Sequence, residues 1–88
     1  MLGVVVTAGD GEVALTWQPP AGSDHILIRR SPGEGAAYES TVYRGAAHAY
    51  VDRAPRNGIT YRYVIVNFGR DGGVSTGVPT LVTPERRR

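Results

Sequence analysis

Cysteine and lysine are both missing from the 88 residues. Without cysteine there is no disulfide framework and no thiolate metal site, so stability must come from packing and strand pairing, and the redox compartment cannot be read. Without lysine, all ten basic residues are arginine, which together with abundant Ala and Gly points to a bacterial genome of high GC content. Long apolar runs are missing too: none approaches the roughly 18 residues needed to cross a bilayer. The opening Met1-Leu2-Gly3-Val4-Val5-Val6 lacks the charged n-region and long h-region of a signal peptide. The two histidines, His25 and His48, lie far apart with no cysteine nearby, which is not a zinc spacing. Asn57 and Asn67 are followed two positions on by Ile59 and Gly69, so neither begins a glycosylation sequon.

What is present bounds the chain to one small domain with one core. The formal charge of +2 depends on Arg86, Arg87 and Arg88; without them the body carries seven basic against eight acidic residues. Such a run at a chain end is expected to be a solvated linker or tail over 85–88, following a domain at 1–84. A basic tail can attract phosphate or anionic lipid, but nucleic acid is not the expected partner and no membrane insertion is expected.

Turn residues interrupt the chain every 8 to 12 positions or so, and the segments between them alternate with period two, the rhythm of a sandwich or small barrel. Strands are expected at Val4–Thr7, Glu12–Trp17, His25–Arg30, Ser40–Arg44, Ala49–Asp52, Ile59–Phe68 and Thr76–Thr83, seven in all. Asp10-Gly11 is a hairpin signal, and Pro19-Pro20 removes ladder donors and forces a loop. Val13, Leu15 and Trp17 share one face of their strand; Tyr61, Tyr63, Ile65 and Asn67 share one face of the strongest strand.

The ordered series Val13-Ala14-Leu15-Thr16-Trp17, Pro19-Pro20, Ile26 to Ser31, Tyr50-Val51-Asp52, Gly58 to Val66, Gly72, Ser75 and Thr83-Pro84 resembles a fibronectin type III domain of the bacterial sort. The resemblance spans almost the whole chain and implies an all-β, seven-stranded, immunoglobulin-like sandwich. It assigns Trp17 to the centre of the core and Tyr61 to a tyrosine corner, its ring buried and its hydroxyl bonded to backbone. Leu15, Ile26, Ile28, Tyr63 and Ile65 complete the implied core. Two positions depart from the pattern: Pro55 stands where Leu is usual, leaving Ala54 or Val51 to fill the gap, and Ile59 stands where Thr is frequent. The resemblance also implies a secreted or cell-surface setting.

No catalytic, metal or cofactor site is expected. Ser23, Ser31, Ser40 and Ser75 fall in loops or strand ends without a nucleophile-elbow pattern, and Asp24-His25 reads as an ordinary strand edge. Asp10, Asp24, Asp52 and Asp71 read as turn residues. The glycine-rich Gly9-Asp10-Gly11 and Gly69 to Gly73 lead into no helix, so they form no phosphate loop. Arg70-Asp71-Gly72 has the wrong order for an integrin signal. One face invites a binding hypothesis: with Trp17, Tyr61 and Ile65 inward, Leu27, Arg29, Arg62, Val64, Val66 and Phe68 point outward as an apolar stripe edged by arginine. The chain therefore reads as a non-catalytic accessory module, a spacer or protein-interaction domain in a larger bacterial protein. Its partners would be neighbouring domains of the same chain and another protein. The alternative is a carbohydrate-binding or glycoside-hydrolase accessory domain, for which Tyr38, Tyr43 and Phe68 are the outward aromatics.

Overall fold

The computed structural model of the chain describes residues 2–33, 39–77 and 79–86, and among these there is no helix. Eight strands occur: β1 (Leu2–Gly9), β2 (Glu12–Gln18), β3 (Ser23–Pro32), β4 (Ser40–Gly45), β5 (Ala49–Asp52), β6 (Tyr61–Gly69), β7 (Val74–Thr76) and β8 (Thr80–Val82). They form two sheets, β1-β2-β5 and β4-β3-β6-β7, with β8 also paired to β6. All pairings are antiparallel.

The period-two pattern explains how the sheets meet. Val13, Leu15 and Trp17 are buried on β2, while Ala14 is half-buried and Thr16 exposed. They pack against Ile26 and Ile28 of β3 and Tyr61, Tyr63 and Ile65 of β6, with Val6, Val42, Tyr43, Tyr50 and Val82 closing the margins. Each large apolar side chain taken fully out of water contributes roughly 1.5–3 kcal/mol. In a small domain this one cluster is the main source of stability. The Asp10-Gly11 turn links Gly9 and Glu12, with Gly11 at φ 66°, the left-handed geometry that tight hairpin turns need.

The single final strand expected over Thr76–Thr83 is two strands. Val66 pairs with Thr76 and Tyr63 with Thr80, so three steps along β6 match four along its partner. Gly77 donates its N–H to Ile65 O at 2.8 Å, and Pro79 has no N–H with which to continue the ladder. The β1–β2 register also shifts between Leu2 and Val5, where Gly3 takes φ 65°.

Pro55 also behaves differently from expectation. It is buried itself, while Ala54 and Val51 are exposed, so the proline ring occupies the place expected for its neighbours. Met1, Tyr38, Arg87 and Arg88, considered above, lie outside the described residues.

Candidate interaction face and loop cleft

Leu27 pairs with Val66 and Arg29 with Val64, which sets these side chains on the outer face of the larger sheet, beside Arg44 on β4, Phe68 and Arg62 on β6, and Val74 and Leu81 on β7 and β8. The expected stripe is there, but it is not open to water. Leu27, Val64 and Val66 are only 2%, 5% and 7% exposed and form a second cluster with Phe68. Phe68 packs on this cluster, and long arginine side chains on the same face are of the kind that can lay methylenes along apolar surface while the guanidinium stays hydrated. Arg29 and Arg62 both reach Glu39, at 3.3 and 3.1 Å, across this face. Such partly exposed ion pairs contribute about 0–1 kcal/mol each. The face thus offers arginines, a His25–Phe68 stack with ring centroids 4.6 Å apart, and the exposed Val74 and Leu81.

The two described aromatic candidates for sugar stacking, Tyr43 and Phe68, do not share a surface. Tyr43 turns inward, its ring 6.5 Å from Trp17 and 4.9 Å from Tyr50, whereas Phe68 lies on the outer face. The two rings are therefore on opposite sides of one sheet.

Sequence reasoning missed a polar cluster inside the sandwich. Asp52, read as a turn residue, does accept the Ala54 N–H at 3.2 Å. It is also only 3% exposed, and its Oδ2 accepts from Arg30 Nη1 at 2.6 Å and Tyr63 Oη at 2.8 Å. The cluster ties β5 of one sheet to β3 and β6 of the other. Burial, then the Asp52 hydrogen bond and charge, push the Tyr63 phenol well above its ordinary range. Burial alone would disfavour the Arg30 cation; the Asp52 hydrogen bond and charge more than offset this and raise its pKa. Arg30 also lies 5.8 Å over the Tyr61 ring, and Tyr61 Oη accepts the Arg56 N–H at 2.8 Å. The one available signal for the cluster was Arg30 in phase with Ile26 and Ile28 on the inward face.

At the opposite pole the loops enclose two adjoining clefts. One, about 390 Å³, lies between the bend at Ala21-Gly22 and the 69–75 hairpin, and is lined by Asn67, Arg70, Asp71, Val74 and Ser75. The other, about 340 Å³, is lined by Pro19, Pro20, Asp24, Ala47 and His48, and shares Gly22 and Arg70 with the first. Arg70 is set there by its own N–H, which donates to Gly22 O at 2.9 Å. Asp24 is occupied by His25 Nδ1 at 2.8 Å, and Asp71 Oδ1 by the Gly73 N–H at 2.8 Å. Among the described residues no three His, Cys, Asp or Glu side chains gather as a metal site would require.

This two-sheet order, with β4 beside β3 and β5 beside β2, is matched in solved structures. The fourth fibronectin type III domain of a human protein superposes with TM-score 0.77 at 19% identity, over 97% of this chain and 75% of that one. An Fn3-like protein from Clostridium thermocellum gives 0.72 at 17%, over 96% and 92%. The chain has the fibronectin type III fold. The fibronectin type III fold also aligns with part of a larger enzyme, pectate lyase PelI from Erwinia chrysanthemi, solved with tetragalacturonic acid: TM-score 0.79 at 10% identity, over 90% of this chain and 27% of that one. No family model matches the chain. Two curated relatives are both amylopullulanases. That of Thermoanaerobacterium thermosulfurigenes is 35% identical over 75 residues, 82% of this chain and 4% of the enzyme. That of Thermoanaerobacterium saccharolyticum is 36% identical over 62 residues, 70% of this chain and 5% of the enzyme. The fibronectin type III module therefore spans a small fraction of the length of the curated relatives it matches.

Proposed function

We propose that the chain is a non-catalytic accessory module that spaces and contacts neighbouring domains within a longer bacterial protein. The observation that carries this reading is the placement of its ends. Leu2 pairs with Gln18 at the loop-cleft pole, whereas the Pro84 carbonyl accepts the Gly58 N–H at 2.8 Å at the other. Pro84 is fully buried, so the exit is held by the sandwich, and residues 85–88 read as the start of a linker. The molecule measures 45 × 25 × 17 Å. Domains attached at its two ends are held apart along the long axis. Matches to short segments of much longer enzymes support the same reading.

Two side chains that could serve catalysis, Ser23 and His25, are engaged in structure. Ser23 Oγ donates to Asn67 Oδ1, and His25 lies between Asp24 and Phe68 instead of facing a hydroxyl. Such an arrangement offers no activated nucleophile.

Spin-label distance measurement tests the spacer geometry. The natural chain has no cysteine, so Leu2→Cys and Glu85→Cys give two unique labels. One narrow distance peak between the 25 Å width and the 45 Å length is expected. A broad distribution, or a separation below the width, rules the spacer reading out.

A second reading, contact with carbohydrate, is favoured by the amylopullulanase relatives and by the Asn67, Arg70, Asp71 and Ser75 side chains that line the first loop cleft.

A further inference from the structure

Asn67 is 6% exposed and lines the larger loop cleft. Its Oδ1 accepts from Ser23 Oγ at 2.5 Å, which fixes the amide and leaves Nδ2 without a partner among the described residues. As part of the cleft lining, that amide is a spare donor on the side of the cleft. Beside it stands Arg70, which makes no ion pair among the described residues and belongs to both clefts. Acceptors face the same space: Asp71, whose Oδ1 alone is taken by the Gly73 N–H, and the Ser75 hydroxyl.

The charge balance selects the ligand. Across both clefts one guanidinium meets two carboxylates, Asp24 and Asp71, so an anionic ligand is repelled overall. A cation would be opposed by Arg70 at the shared wall. What suits spare donors and spare acceptors side by side is a neutral molecule bearing adjacent hydroxyls, since each hydroxyl both gives and takes a hydrogen bond. The cleft volumes of about 390 and 340 Å³ lie at the small end of the ligand-pocket range, about 300–1,000 Å³. Gly22 in the lining has open space where a side chain would stand, whereas the Asp71 carboxylate fills that space at Gly69 and Gly73.

We propose that the loop-pole clefts bind a neutral oligosaccharide, held by Asn67 Nδ2, Arg70, Asp71 and Ser75. The inference rests on the carbohydrate reading given above and supplies its location and ligand class. The module's spacer role does not depend on it.

The test is an amide-resolved NMR titration of the 88-residue chain with maltohexaose, with cellohexaose, and with trigalacturonate as the anionic control. Saturable shifts at Gly22, the Asn67 side-chain amide, Arg70, Gly73 and Ser75 are expected with at least one neutral sugar. The dissociation constant should be on the order of 1 mM, as a few hydrogen bonds in an open cleft provide. Arg70→Ala should weaken it about tenfold, the loss of one charge-assisted hydrogen bond. Ser75→Ala, on an exposed strand, serves if Arg70→Ala disturbs the rest of the spectrum. Unmoved cleft signals, undiminished binding by both variants, or equal binding of trigalacturonate overturns the proposal. Shifts confined to the outer face around Phe68 would sink the cleft while keeping the carbohydrate reading, and no shift with either neutral sugar would sink both.

Discussion

Replacing Asp52 by Ala removes the acceptor for three donors at once: Arg30 Nη1 at 2.6 Å, Tyr63 Oη at 2.8 Å and Ala54 N at 3.2 Å. The Arg30 side chain is only 20% exposed and the Asp52 side chain 4%, so neither partner is well compensated by water when the other is lost. Breaking a buried ion pair from one side costs about 3–5 kcal/mol. At roughly 0.05–0.15 kcal/mol per residue, 88 residues have about 4–13 kcal/mol in total. Asp52→Ala therefore takes a large share of the stability and leaves a weak member of that range unfolded. Urea denaturation followed by fluorescence of Trp17, the only tryptophan, reads the midpoint directly. The double variant Arg30→Met, Asp52→Leu should recover much of the loss, because apolar side chains replace a buried pair with little penalty. A loss below about 1 kcal/mol for Asp52→Ala would refute the reasoning. The same cluster predicts alkaline sensitivity. Tyr63 has its pKa raised by burial and by Asp52, so its contribution is complete below the unfolded phenol pKa of about 10 and is lost as pH rises beyond it. Stability should fall by up to about 1.4 kcal/mol per pH unit above 10. Tyr63→Phe should remove that component of the slope.

Tyr61→Phe leaves the Arg56 N–H without its 2.8 Å acceptor and should cost about 1–3 kcal/mol by denaturant titration. Val64→Thr with Val66→Thr places hydroxyls in the covered outer cluster, so a loss of about 1–3 kcal/mol is expected for each one left unpaired. A neutral result in the same assay would mean that face is wet. Arg62→Ala removes one arm of the Glu39 bridge and shortens a side chain on the same face as the cluster. Its stability cost should stay near 1 kcal/mol, with increased binding of a hydrophobic dye.

The sandwich was legible because period two is a local property. Val13, Leu15 and Trp17, or Tyr61, Tyr63 and Ile65, announce an inward face from spacing alone. What was not legible depended on partners distant in sequence. Asp52 reads as a turn residue, and it is one, yet its second oxygen serves Arg30 and Tyr63 across the two sheets. The division of the last strand follows from a one-residue mismatch against β6; sequence shows Gly77 and Pro79 but not the register they interrupt. The outer aliphatic residues were legible as outward-pointing, but alternation gives a side chain's direction and not how far its neighbours cover it. The cleft was hidden for the same reason as Asp52: Ser23 and Asn67 meet across β3 and β6, and only the inward phase of Asn67 hinted that a polar group closes that end of the core.

The central claim is that β2 and β4, in different sheets, face one another across a single interior. Two-dimensional NOE spectroscopy tests it most directly through the Trp17 and Tyr43 rings, whose centroids lie 6.5 Å apart. Strong cross-peaks between indole and phenol ring protons are predicted. Their absence, with either ring freely accessible to a soluble paramagnetic relaxation agent, would contradict the two-sheet architecture.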